Sequence, residues 1–488
     1  MVTPDFPLWA GGFATQYRRL RAVTGATLHQ FEALFGDWIE PYRLAQQEEG
    51  SHSRCRRWSL RLVFWAFLWQ TAQVGASCRE AIRQAQALSR LRGSSPPPDK
   101  TSPYCQARSK LPLERLDEIH RTIVDQTEAA IASKDLWCGH RVRVVDATTV
   151  IAPDTPANQQ AYPQQRSQKP GCGFPIIRLI GLFSLATGLF TAWATGAWRS
   201  HELVLFQLLW QHLKAGEVLL GDRGFGIWTM LAQCRTRRAD GVFRVRGHRQ
   251  SDWRRGKRVS KDEREIQWPQ PRQRPDYLSP GEWTLLPQSL TLRLVRVYIT
   301  ERGYRTRKVT LVTTLLDHGR YSASALAQLY RRRWDMELSL RHIKTTLQME
   351  HLSCKSPKNL ERELWMHFAV HNLVRRLMFE AARKANVPLS RVSFAGALSA
   401  IRRYSEALLQ ARTQRQRRKL VEELYRVLAQ DLVPDRPGRW EPRALKKRPK
   451  PFAQLTRHRH QFREIPHRNR YWEGGPCKRK RAKYHRPN

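Results

Sequence analysis

The fold class this sequence predicts is an α/β core with a helical region before it, a mostly β stretch interrupting it, and helices and a basic tail after it. Three observations carry that expectation. Apolar runs of helical character fill the chain to about residue 134; RVRVVDATTV, beginning at Arg141, switches to β-branched alternation; a strand pair, a helix and the strand of EVLLGDRGFG then follow before helices resume at Ser322. Strand-helix-strand order implies a sheet with helices packed on its faces.

Charge narrows the function classes. The 488 residues carry 86 Lys and Arg against 42 Asp and Glu, a formal net charge of +44. Self-repulsion of that size is relieved by a polyanion, and phosphate backbones bind such a surface while releasing counterions. Nucleic acid is the expected partner, ahead of a ribosome-like structural role or a membrane surface. Hydrophobic residues make up 41%, enough for a sizeable core. The eight cysteines are scattered with no CxxC pair, so neither a zinc finger nor a disulfide framework is expected, which fits a reducing, cytoplasmic setting. MVTPDFPLWAGG lacks a basic segment followed by an apolar one and does not read as a signal peptide.

The elements follow in order. Trp58 to Trp69 (WSLRLVFWAFLW) reads as an apolar helix, and Gln73-Val74-Gly75-Ala76-Ser77 as a break. Ser77 can cap the next helix, Cys78 to Leu88, which exposes Arg79 and Arg83. That pair is compatible with a DNA-reading helix-turn-helix and equally with a buried helical hairpin. Residues 1–134 are expected to form an N-terminal helical DNA-binding domain. Ile176 to Trp198 is long and apolar enough to imitate a membrane span, but Ala186-Thr187-Gly188 at its middle predicts a hairpin of two buried strands. A helix is expected from His201 to Lys214. Residues 235–317 form the β-rich insertion, basic and polar from Arg244 to Arg274 and then alternating in LTLRLVRVYI and KVTLVTTLL. The core would comprise 135–234 and 318–400, with a C-terminal helical region at 401–435. The tail, 436–488, carries 18 Lys or Arg against three Glu and is expected to order only on nucleic acid.

Phosphodiester chemistry calls for divalent cations that activate one oxygen and stabilise another, and such hard ions take carboxylate ligands. Asp146 ends VRVV and Asp222 ends EVLLG, both at strand C-termini, where open α/β sheets carry functional groups. Each alone could be a turn residue. Tyr330 to Lys344 (YRRRWDMELSLRHIK) has no Gly or Pro and is expected to be one helix. At about 100° per residue, Tyr330, Arg333, Glu337, Arg341 and Lys344 fall within roughly 80° over roughly 21 Å, with Leu329, Met336, Leu340, Ile343 and Leu347 on the neighbouring buried face. Glu337 could be only an i,i+4 ion pair with Arg333 or Arg341. A metal-holding carboxylate among phosphate-gripping cations accounts for the whole row.

The spacing Tyr330-x2-Arg333-x3-Glu337-x6-Lys344 resembles the Y-R-E-K signature of the insertion-sequence-four family of DDE transposases. Asp146 in VVDATTV and Asp222 in LLGDRGFG resemble that family's two aspartate blocks, SPYCQARSKLP its N-terminal region and RPGRWEPRALKKRPKPF its C-terminal end. The resemblance implies an RNase H-like catalytic core with a β insertion and cut-and-paste transposition of an insertion sequence. Asp146, Asp222 and Glu337 would hold Mg2+ (with Mn2+ as a substitute), with two ions expected. It also implies a homodimer on paired ends of double-stranded DNA, the terminal inverted repeats, with target DNA as a further partner and no membrane, in a prokaryotic nucleoid. Tyr330, Arg333 and Lys344 would contact phosphates, with Arg341 and Arg223 as companions. Relatives that use a hairpin intermediate have a Trp on the strand before the Glu helix, a position near Val309 here. A non-catalytic relative retaining only DNA binding would share fold and charge. No GxxxxGK[ST] or HExxH pattern supports nucleotide or zinc chemistry.

Overall fold

The computed structural model describes residues 29–39, 41–45, 57–91, 93–166, 171–245, 253, 256–298, 308–434 and 461. The expectation for the basic tail and part of the basic stretch after Arg244 lie outside these.

One nine-stranded sheet forms the centre, in the order β3-β2-β1-β4-β5-β9-β8-β7-β6. Its strands are β1 Val142–Ile151, β2 Ile176–Ser184, β3 Phe190–Ala197, β4 Val218–Gly221, β5 Asp240–Arg244, β6 Lys257–Ser260, β7 Glu263–Pro269, β8 Ser289–Tyr298 and β9 Lys308–Thr313. β1 pairs antiparallel with β2 and parallel with β4, and β4 pairs parallel with β5. β5 and β9 are antiparallel, so the strands of the interrupting stretch extend this sheet instead of building a separate one. β6 and β7 arise inside the stretch expected to be merely basic and polar. There the charges are cross-strand partners, as where Arg293 of β8 reaches Glu263.

The apolar segment Ile176 to Trp198 folds as the expected hairpin, β2 against β3. Its turn residue Gly188 sits at φ +71° against the Arg375 guanidinium, leaving no room for a side chain. Among the described residues, no helix is long and apolar enough to cross a membrane.

The helices are α1 Gln30–Phe35, α2 Leu60–Ala72, α3 Cys78–Leu91, α4 Thr101–Ser109, α5 Leu113–Ala129, α6 Pro156–Ala161, α7 Glu202–Gln207, α8 Trp228–Thr236, α9 Pro280–Thr284, α10 Ala323–Arg332, α11 Trp334–Arg341, α12 Pro357–Ala385, α13 Phe394–Gln410 and α14 Gln414–Gln430. Alternating strand residues divide the sheet's two faces. Val142, Val144, Val218 and Leu220 pack with Leu326, Leu329, Leu340 and Ile343 of the α10–α11 region. Val145 and Leu219 pack with Phe206, Trp228 and Leu231 of α7 and α8. The helix expected from His201 to Lys214 is shorter: α7 ends at Gln207 and a 3-10 turn covers Trp210–His212.

A third core lies in a helical body. α2 and α3 form at the expected positions, and Ser77 caps α3 reciprocally with Glu80. Val63 to Leu68 are each at most 3% exposed, so α2 is buried on every side. This is why its sequence shows no polar stripe. Its neighbours include Met366, Leu373 and Leu377 of α12 and Leu398 and Ile401 of α13. The first and last helices of the described chain therefore share one interior. Within the hairpin, α2 is internal and α3 exposes Arg79 and Arg83. α12 is also tied to the sheet: Asn372 donates to the Phe190 carbonyl and accepts from the Phe190 N–H, both at 2.9 Å.

Candidate active site

β1 and β4 run parallel with Val142 beside Val218 and Val144 beside Leu220. Two residues further along each chain stand Asp146 and Asp222, at the same level, on strands about 4.8 Å apart. Side chains alternate across a strand, so both aspartates belong to the face covered by α10 and α11. Asp146 Oδ1 accepts from Ala147 N at 2.8 Å, and Asp222 Oδ1 accepts from Gly224 N at 2.7 Å. The Gly in LLGDRG at 221 lets the sheet close: a Cβ there would stand 2.9 Å from Val145 Cγ1.

Burial pushes the Asp146 carboxyl up to about 6, while the Arg333 cation opposes this and Asp222 and Glu337 reinforce it. The three acidic side chains taken from the sequence thus lie within one another's fields. Glu337, on α11, is half exposed, and its Oε1 accepts from Arg333 Nη2 at 2.9 Å. The i,i+4 ion pair that the spacing allowed is therefore formed. As placed, no three His, Cys, Asp or Glu side chains stand close enough together to hold a metal ion, among the described residues. The donor chemistry nevertheless fits a hard cation: two aspartates stand side by side with Glu337 near enough to act on Asp146 through its charge, and Asp146 is held in a setting that penalises its charged form, a deficit that bound positive charge would reverse.

The cations and the phenol do not lie along one continuous helix as expected. The helix breaks at Arg333 between α10 and α11, and α11 passes into a π-helical turn at His342–Thr346. A π turn takes an extra residue per turn, which rotates Lys344 away from the row that 3.6-residue spacing draws. Tyr330 is 4% exposed, inside the apolar layer, with burial raising its pKa. It and Trp334 flank Arg333, whose guanidinium carbon lies 5.8 and 5.6 Å from the two ring centroids. Arg341 and Arg223 are exposed, and Lys344 is half-buried with Nζ 3.8 Å from Glu350 Oε1. Val309 is buried on β9.

Two residues near the site have no clear mark in the sequence. Glu202, at the start of α7 with His201 capping that helix, is held by Arg178 at 3.0 Å, and its Oε2 would lie 3.8 Å from a Cβ at Gly224. Arg244, at the end of β5, acts on the Tyr330 phenol through its charge. Only the sheet brings these to the aspartates. Beside α11 a cleft of about 750 Å³ is lined in part by Lys134, Arg332, Arg341, Arg375 and Arg383.

Residues 137–373 match a family model described as the transposase DDE domain, a span running from just before β1 into α12 and containing Asp146, Asp222 and Glu337. The chain is 25% identical over 434 residues to the transposase InsG for insertion sequence element IS4 of Escherichia coli (strain K12), across 85% of this chain and 92% of that protein. A cryo-EM structure of the piggyBac transposase synaptic complex with hairpin DNA aligns with a TM-score of 0.40 and 10% identity, covering 83% of this chain and 86% of that one. Together these matches support a DDE transposase of the insertion-sequence-four family.

Proposed function

We propose that this transposase excises and inserts its element by cutting DNA strands hydrolytically and then joining the freed 3′-OH to a target phosphodiester, with Asp146, Asp222 and Glu337 as the catalytic carboxylates. One observation carries the reading: Asp146, midway along β1, and Asp222, just past the end of β4, stand side by side two residues beyond the parallel pairing of these strands, on the sheet face that carries the helix with Glu337. The order β3-β2-β1-β4-β5, antiparallel through β1 and parallel beyond it, supports an RNase H-like core, with β6 to β9 as the insertion. Of the division expected from sequence, the proposal keeps a β insertion but moves β5 into the core, and it joins the N-terminal helices with α12 to α14 in one helical body.

The three carboxylates would hold Mg2+ or Mn2+, which when bound supply charge stabilisation for the attacking and leaving oxygens. Arg333 has a second task. It now satisfies Glu337, and an incoming phosphate competes for the same guanidinium with a bidentate, charge-assisted bond. DNA binding would therefore release Glu337 to turn toward the aspartates. Arg341, Lys344 and Arg223 would grip the backbone nearby, and the cleft lined by Arg332 and Arg383 would carry its continuation. Tyr330 would act from beneath, fixing Arg333. In this reading the protein works as a dimer on two inverted-repeat ends, in association with the nucleoid.

The test is strand nicking of duplexes carrying the element's own ends in Mg2+. Asp146→Asn, Asp222→Asn and Glu337→Gln should each abolish nicking and leave DNA affinity unchanged or higher, because less negative charge faces the phosphates. Robust nicking by any one of them would remove that residue from the catalytic set. A wild-type chain that binds the ends without nicking would favour a purely DNA-binding relative.

A further inference from the structure

Away from the carboxylates, three cysteines surround one buried cation. Cys78 is the first residue of α3, Cys105 lies on α4, and Cys354 precedes α12. Arg108, one turn beyond Cys105, is 7% exposed. Its Nη1 lies 3.3 Å from Cys78 Sγ and 3.2 Å from Gln70 Oε1, and its Nη2 lies 3.3 Å from Cys354 Sγ. Among the described residues, no ion pair joins Arg108 to a carboxylate. A guanidinium taken out of water needs a negative partner, and here sulfur is the group in place to supply it. Cys105 Sγ stands 3.9 Å from Cys78 Sγ and is solvent-exposed.

We infer that Cys78 and Cys105 form a peroxide-reactive dithiol, with Cys78 as the attacking thiolate and Cys105 as the resolving thiol, closing to a disulfide between α3 and α4. The Cys105 thiol donates to the Cys78 sulfur across 3.9 Å. That contact and Arg108 pull Cys78 down to about 5 and hold Cys105 above its ordinary value. The charged and titratable groups facing Cys78 are Arg108, Tyr104 and Cys105 from α4, with Cys354 and Glu363 beyond them. Cys354 is half-buried, and desolvation pushes it up, which favours the thiol. A metal is disfavoured because the Arg108 cation already fills the space between the sulfurs.

The chemistry balances with a peroxide as oxidant. The Cys78 thiolate attacks one peroxide oxygen, the O–O bond breaks, and hydroxide leaves, giving a sulfenic acid. That hydroxide takes the Cys105 proton. The Cys105 thiolate then attacks the Cys78 sulfur, the S–S bond forms, and the sulfenic oxygen departs as hydroxide. Two sulfurs are oxidised by one electron each, and the peroxide is reduced to water and hydroxide.

The full-length chain is treated with a few equivalents of hydrogen peroxide, alkylated, digested and analysed by mass spectrometry. A thiol-reversible Cys78–Cys105 linked peptide is expected, while the fully buried Cys234 stays reduced. In Cys105→Ser, Cys78 should be trapped as a sulfenic acid by dimedone; in Cys78→Ser, Cys105 should remain a thiol. Iodoacetamide should alkylate Cys78 of the unoxidised protein at nearly constant rate from pH 6.5 to 8.5, where an ordinary thiol speeds up roughly 50-fold. A Cys78–Cys354 link would overturn the assignment, and so would absence of any link with Cys78 reacting as an ordinary thiol.

Discussion

Replacing Asp146 by asparagine removes one negative charge from the middle of β1 and keeps the side chain's shape and its acceptor for Ala147 N. The native environment lifts this carboxyl from 3.8 to about 6. The folded state therefore holds the proton more tightly than the unfolded chain does, and ionising Asp146 costs stability. The cost is absent below pH about 4, grows as pH rises, and is complete once pH passes about 6. At 1.36 kcal/mol per pH unit it amounts to at most about 3 kcal/mol. Asparagine carries no such cost. With metals chelated, Asp146→Asn should be more stable than wild type by only about 1 kcal/mol at pH 4.5 and by about 2–3 kcal/mol at pH 7.5, the latter a rise of several degrees in Tm. Saturating Mg2+ should narrow the gap at pH 7.5 by stabilising wild type alone. Thermal melts at the two pH values, with and without Mg2+, read this directly. A gap that does not depend on pH, or a variant less stable than wild type at pH 7.5, would refute the idea that burial penalises this carboxylate.

Arg333→Gln should uncouple two events: Glu337 loses its partner, yet the phosphate that should displace it loses its grip, so nicking falls by at least tenfold while the fold melts within a few degrees of wild type. Lys344→Ala should weaken DNA binding evenly across sequences and reduce the slope of log affinity against log salt by about one. Asn372→Leu leaves both Phe190 backbone groups unpaired inside the protein and should cost about 2–4 kcal/mol in urea unfolding, with no change in nicking at low temperature. Arg143→Ala strands Glu128 and Glu217, which it joins at 3.0 and 2.6 Å in a buried triad, and should destabilise by about 3–5 kcal/mol.

Much of the site could be read from the chain because its signals are local. VRVVD and EVLLGD each place an acid after a β-branched or aliphatic run, and the parallel register that aligns Asp146 with Asp222 follows once both are strands of one sheet. The β2–β3 hairpin was legible from the Gly188 turn, and the start of α3 from Ser77. The row around Glu337 was misdrawn because an ideal helical wheel cannot anticipate the break at Arg333 or the π turn at His342–Thr346. β6 and β7 were hidden because their charged residues pair across strands instead of alternating with apolar ones. The neighbours of α2 were also illegible, since a helix apolar on every side gives no direction to its partners.

That shared interior bears on what a shortened gene would produce. A chain ending soon after the Glu337 helix would still hold Asp146, Asp222 and Glu337, yet it would lack α12, which packs on α2, and with it α13 and α14, which complete the same core. Such a product would display bare aromatic surface and aggregate or be degraded before meeting DNA. The same dependence bears on synthesis at the ribosome, where α2 would wait for some three hundred further residues before its last neighbours emerged.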